Sequence, residues 1–180
     1  MGNFKEDIAL VRAFVLDVDG VMTDGILRPT PDGDFARNYY AKDGYAMAYA
    51  LREGYYICVI SGGRGAMLER RMELLGVTRA YLNCMDKTSA IEEFMRDYEL
   101  KPENVIYMGD DIPDLDCMRR VGVPVCPADA CMEVIEASRY VSEFNGGRGA
   151  VRDIIEQVLR AHDCWAKNTK GVLGVEKSEH

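Results

Sequence analysis

Short apolar runs that end abruptly on a polar residue recur along this chain, each followed by a stretch with helical spacing. This alternation constrains the fold more than any other feature. Residues 11–16 (V-R-A-F-V-L) read as a buried strand ending at Asp17, residues 55–60 as a strand ending at Ser61, residues 79–82 as a short strand, and residues 105–108 as a strand ending at Gly109-Asp110. Residues 43–53, 65–75 and 88–98 carry helical periodicity, the first two closed by Gly54 and Gly76 and the third followed by a turn at Pro102. Shorter signals run through Val141, and residues 150–162 form a last amphipathic helix. Strands alternating with helices predict βαβ units, hence an α/β class with a Rossmann-like, mainly parallel sheet and helices on both faces. A length of 180 residues suits one compact domain, expected over residues 1–165, with 166–180 as a polar C-terminal tail.

Open parallel sheets bind ligands beyond the carboxyl ends of their strands. Three of those ends carry Asp17, Ser61 and Asp110, and Lys87 begins a helix after the strand at residues 79–82. One segment breaks the alternation. Residues 24–42 contain Pro29, Pro31 and the turn pair Asp32-Gly33, which predicts a β-hairpin flap projecting from the edge of the sheet.

The net charge of −8, from 30 acidic and 22 basic residues, argues against nucleic-acid binding, where cations must displace phosphate counterions. A small anionic ligand stays compatible, because local basic residues can line a pocket. No apolar stretch approaches the roughly 20 residues that span a bilayer, and the first residues have no signal-peptide core, so no membrane partner and a cytoplasmic location are expected. The six cysteines form no C-x-x-C pair and the only histidines are His162 and His180, which argues against zinc. Reduced, buried thiols are expected.

Asp17-Val18-Asp19-Gly20 places two carboxylates at one strand end, and their repulsion favours a cation between them. Oxygen ligands without thiolate or imidazole suit magnesium, and a carboxylate can also act as a nucleophile toward phosphorus. Gly109-Asp110-Asp111-Ile112-Pro113-Asp114 offers three more acids after another strand. Taken alone, each element has an ordinary structural explanation: an acidic turn, a capped helix start, a Ser61 cap, a solvated lysine. Only the ordered set is specific.

That set, D-V-D-G-V-M-T, a strand ending in Ser61, Lys87, then G-D-D-I-P-D, resembles the four motifs of the haloacid dehalogenase superfamily of phosphatases. The resemblance implies Asp17 as nucleophile, Asp19 as general acid and then base, and Ser61 and Lys87 as phosphoryl-binding groups. It implies Mg2+ held by the Asp17 carboxylate, the Asp19 main-chain carbonyl and Asp110, with Asp111 and Asp114 orienting the metal shell. The intervals from Asp19 to Ser61 and from Ser61 to Lys87 leave no room for a cap domain.

D-G-V-M-T-D-G, the hairpin ending in Lys42-Asp43-Gly44-Tyr45, and Gly146-Gly147-Arg148-Gly149 are similar to the family of phosphatases acting on 3-deoxy-D-manno-octulosonate 8-phosphate. This implies a small phosphorylated sugar-acid substrate, a role in lipopolysaccharide precursor synthesis, and a homotetramer in which each hairpin helps cover a neighbouring site. Lys42, Asp43, Gly44, Gly62, Arg64, Arg71 and Lys87 are the expected substrate-binding residues. Arg64 and Arg71 are seven apart, a spacing that puts both on one side of a helix, and arginine suits the substrate carboxylate. Two positions depart from that family: Gly63 stands where a basic residue is usual, and Ala48 lies where an arginine is expected. The competing readings are a phosphatase of a nine-carbon sialic-acid-type sugar 9-phosphate, a non-catalytic oligomeric module of the same fold, and a receiver domain. The paired acids of D-x-D-G-V-x-T argue against the last.

Overall fold

The computed structural model describes residues 4–167. Most of the tail expected over residues 166–180 lies outside the described residues. After a short helix α1 (Phe4–Asp7), the chain enters strand β1 (Ala13–Leu16) and then a hairpin of β2 (Arg28–Pro29) and β3 (Phe35–Ala36). There follow α2 (Ala41–Arg52), β4 (Tyr56–Ile60), α3 (Ala66–Leu75), β5 (Arg79–Tyr81) and α4 (Lys87–Asp97). The second half comprises β6 (Val105–Met108), α5 (Leu115–Met118), β7 (Val123–Cys126), α6 (Met132–Ala137), β8 (Tyr140–Val141) and α7 (Ala150–Ala161). Six strands pair in parallel in the order β5-β4-β1-β6-β7-β8.

The apolar runs are continuous because both faces of the sheet are covered. Successive side chains point to opposite faces. Phe14, Leu16, Ile57, Val59, Ile106 and Met108 enter one core, under α2, α3 and α7. Ala13, Val15, Cys58, Ile60, Val105 and Tyr107 enter the other, under α4, α5 and α6. All four residues of β1 are buried. The six cysteines are free thiols.

The order of the strands reverses between β1 and β6, since the chain winds outward through β4 and β5 and returns beside β1. This is the switch point at which such sheets open a crevice. Asp17 follows β1 and Asp110 follows β6, so the topology sets both acids at the mouth of that crevice. The Asp17 amide donates to the Met108 carbonyl at 3.1 Å and ties the two strand ends together.

Two expectations need correction. The hairpin forms, but it leaves from β1, third in the sheet, and therefore rises over the centre of the carboxyl edge rather than from a lateral edge. Its strands are two residues long and pair only with each other, with an isolated bridge between Thr23 and Tyr39 at its base. The helix expected from residue 65 starts at Ala66, because Gly65 is the N-cap with φ 121°. Arg64 thus precedes the helix, and the argument that Arg64 and Arg71 share one of its faces fails. Intervals without a cap domain are observed: the hairpin, α2 and β4 lie between Asp19 and Ser61, and α3 and β5 between Ser61 and Lys87.

Candidate active site

Asp17 is 7 % exposed, at the end of the central strand. The Asp86 carboxylate caps α4 by accepting from the Ser89 amide at 3.0 Å, which makes Lys87 the first helical residue. From there its ammonium reaches Asp17 Oδ1 at 3.0 Å and Asp114 Oδ1 at 2.8 Å. Asp114, 1 % exposed, has both oxygens engaged. Oδ1 also accepts from the Tyr107 hydroxyl at 2.7 Å, and Oδ2 accepts from the amides of Asp110 and Asp111 at 3.1 and 3.4 Å. Asp114 therefore fixes the backbone of its own loop and the position of Lys87 together.

Carboxylate oxygens of Asp17, Asp110 and Asp114 lie within 4.8 Å of one another. Burial, then the charge of Asp114, pushes the Asp17 carboxyl up to about 7, against the opposing effect of Lys87. Burial and the charges of Asp17, Asp114 and Asp111 likewise push Asp110 to about 7. The Lys87 pKa is raised too: burial alone would lower it, but the charges of Asp17 and Asp114 outweigh burial, so it stays charged. One ammonium does not balance three carboxylates at this depth. Asp110 Oδ1 is buried with no hydrogen-bond partner among the described residues. A Cβ at Gly20, where φ is +91°, would lie 2.0 Å from Asp110 Oδ2, so only glycine lets the two strand-end loops meet there. An orphaned oxygen, surplus negative charge and an all-oxygen donor set fit a hard divalent cation.

Asp17, Asp19, Ser61, Gly62 and Lys87 line one open cavity of about 540 Å³. Ser61 is 2 % exposed, and its Oγ accepts from the Gly63 amide at 3.0 Å. Asp111 is exposed and caps its own turn through the Ile112 amide at 2.9 Å. The remaining expected residues are elsewhere in this chain. Lys42 lines a separate cavity of about 360 Å³ with Arg148 and Arg152. Asp43 is buried and accepts from the Arg152 amide at 2.8 Å, which caps α7 from a neighbouring helix. Burial pushes its carboxyl up to about 6. Gly44 packs beside the Arg71 guanidinium, which lies over the Tyr39 ring in a third cavity of about 460 Å³. Arg64 is exposed.

Two residues were missed by sequence reasoning. Arg37, on the hairpin, donates from Nε to Asp19 Oδ1 at 2.7 Å and from Nη2 to Oδ2 at 3.1 Å. Its place in an irregular, polar hairpin left no local signal of direction. Tyr107 sits in an apolar strand that reads as core, and its hydroxyl is the polar atom that the pattern conceals.

A model of the haloacid dehalogenase-like hydrolase family matches residues 81–155. The 3-deoxy-D-manno-octulosonate 8-phosphate phosphatase KdsC of Yersinia pestis is 36% identical over 155 residues, which is 86% of this chain and 83% of that protein. The crystal structure of the Y. pestis phosphatase superposes with a TM-score of 0.86 at 34% identity, covering 89% of this chain and 86% of that one. The Moraxella catarrhalis phosphatase, solved in complex with magnesium ion, phosphate ion and a KDO molecule, superposes with a TM-score of 0.83 at 28% identity, covering 87% and 90%.

Proposed function

The chain belongs to the haloacid dehalogenase-like hydrolases, in the family of the 3-deoxy-D-manno-octulosonate 8-phosphate phosphatases, and on that premise we propose that it hydrolyses 3-deoxy-D-manno-octulosonate 8-phosphate to the free sugar acid and phosphate. The observation that carries this reading is the gathering of Asp17, Asp110 and Asp114 at the sheet's switch point, with Lys87 bridging Asp17 and Asp114.

In this reading an Asp17 carboxylate oxygen attacks phosphorus, the bond to the sugar oxygen breaks, and Asp19 delivers a proton to that oxygen. The product is an aspartyl-phosphate and the free sugar acid. Asp19 then takes a proton from water, the water oxygen attacks phosphorus, and the bond to Asp17 breaks, which releases phosphate. Lys87 and the amides around Ser61 hold the transferring oxygens, where fixed positive charge is most effective. Mg2+, held by Asp17, Asp110 and the Asp19 carbonyl, supplies further positive charge and keeps the carboxylates ionised. Asp114 positions this shell through Lys87 and the loop amides.

The same reading extends to a homotetramer working in the cytoplasm in lipopolysaccharide precursor synthesis. Self-association is supported by Ile26, Leu27 and Phe35, apolar residues of the hairpin segment left 51%, 42% and 39% exposed. Lys42, which lines a cavity apart from the one that holds Asp17, joins the substrate contacts only if subunits complete each other's sites.

The test is phosphate release from 3-deoxy-D-manno-octulosonate 8-phosphate with magnesium, beside a sialic-acid-type 9-phosphate and the Asp17→Asn variant. Preference for the eight-carbon ester, abolished by EDTA and by the substitution, is expected. Preference for the nine-carbon ester would move the substrate and keep the chemistry. Activity surviving in Asp17→Asn would end the nucleophile assignment.

A further inference from the structure

The catalytic cavity is acidic. Asp17, Asp19, Asp86 and Asp116 line it against a single cation, Lys87, which already holds two carboxylates. Mg2+ and Lys87 answer the phosphoryl group, but a leaving group that itself carries a carboxylate needs a further cation, and Arg37 reaches the wall of the cavity. Its side chain is 3 % exposed, and its fork takes both oxygens of Asp19. While both accept from Arg37, the Asp19 carboxylate lines the cavity already engaged by a guanidinium.

Arg37 also lines the adjoining cavity of about 460 Å³, together with Tyr39 and Arg71. Through Asp19 and Gly63, which line the cavity that holds Asp17, it stands between that cavity and the one that holds Arg71. Gly63 admits it: a Cβ there would lie 2.8 Å from Arg37 Nη2, 3.1 Å from Ser61 Oγ and 3.3 Å from Asp19 Oδ2. The hairpin that carries Arg37 is docked on its own chain, since Asp34 Oδ2 accepts from the Met67 amide at 3.2 Å in the first turn of α3.

We propose that Arg37 is a specificity-determining residue for the leaving group, its guanidinium passing from Asp19 to the carboxylate or hydroxyl oxygens of a polyhydroxy-acid phosphate, in a space that Gly63 keeps open. This rests on the phosphatase reading above. The transfer does two things at once. It frees the Asp19 carboxylate from the guanidinium, and it opens the way between the two cavities so that the body of the ligand extends toward Arg71. A leaving group without carboxylate or hydroxyl oxygens draws the guanidinium away less well, so the selectivity belongs to Arg37.

The experiment compares kcat and KM for 3-deoxy-D-manno-octulosonate 8-phosphate and for p-nitrophenyl phosphate, with magnesium, in the wild type, Arg37→Ala, Arg37→Lys, Gly63→Ala and the double variant. A charge-assisted contact is worth about a tenfold change or more. Arg37→Ala is expected to lower kcat/KM for the sugar-acid ester at least about tenfold more than for the nitrophenyl ester, chiefly through KM, with part recovered in Arg37→Lys. Gly63→Ala should shift selectivity in the same direction, and should add little once Arg37 is gone. Equal losses on both esters, or a Gly63→Ala effect of the same size with and without Arg37, would overturn the proposal. Wild-type turnover separates the two failures. If the wild type does not hydrolyse the sugar-acid ester, the substrate reading falls and takes this inference with it; if it does and the selectivity ratio stays put, only the inference falls.

Discussion

The ammonium of Lys87 lies 3.0 Å from Asp17 Oδ1 and bridges it to Asp114 at 2.8 Å, with 11 % of the lysine side chain exposed. Removing one member of a buried, charged group leaves its partners uncompensated, at about 3–5 kcal/mol. Lys87→Met should therefore lower the thermal midpoint of the metal-free protein by about 10 °C, with partial recovery in magnesium. It should also lower kcat by about a hundredfold or more, the size of effect seen when one preorganised positive group is lost. A kcat within tenfold of wild type would show that the ammonium does not act on the phosphoryl group.

The raised carboxyls make stability depend on pH with a definite sign. Asp17 and Asp110 have folded values of about 7 against an ordinary 3.8. Between about pH 4 and 7 the folded chain keeps protons that the unfolded chain has released, so metal-free stability falls as pH rises through that window and levels off above it. Asp43, at about 6, adds to the fall over the lower part of the window. Divalent metal needs ionised ligands, so its stabilising effect should grow across the same window. Thermal melts at pH 5.5 and pH 8, in EDTA and in magnesium, read both effects. The midpoint in EDTA is expected to drop toward pH 8 while the gap between the two curves widens. A narrowing gap would count against metal binding by these acids.

Asp43 gives a prediction about architecture alone. The N-cap of α7 is Gly149, which has no side chain to accept from the first-turn amides, and Asp43 accepts from the Arg152 amide instead. Loss of a cap costs about 1 kcal/mol, or about 2–4 °C in a chain of this size. Asp43→Ala should show that loss in thermal unfolding, and Asp43→Asn, which keeps an acceptor, should retain most of the stability. Equal losses in both variants would mean that the charge rather than the acceptor matters.

Much of the fold was legible because its signals are local. An apolar run flanked by turn residues marks a strand wherever it falls, and the ends of β1, β4 and β6 lie within a residue or so of the expected positions. Given parallel order, the strand-end rule then brings Asp17, Ser61 and Lys87 to one cavity without coordinates. The hairpin's existence was also readable, from its prolines and its Asp32-Gly33 turn, but its exit from the central strand was not. Strand order depends on which apolar faces meet, and a single strand's sequence does not state its neighbours. The Arg64–Arg71 argument failed for a local reason: a glycine at φ 121° caps the helix one residue after Arg64 and removes it from the helical face.

The sequence by itself determined the parallel α/β class, the acids at its strand ends and their gathering at one edge, because hydrophobic period and strand termination are written in consecutive residues. Tertiary structure alone decided what those acids touch. Arg37 meets Asp19 across 18 positions and Asp43 caps Arg152 across 109. Asp114 is enclosed by Tyr107, Lys87 and two amides only once β6 and α4 are packed. Such contacts draw their strength from burial and geometry, which polar residues acquire from the packing of other segments and not from their own neighbours in the chain.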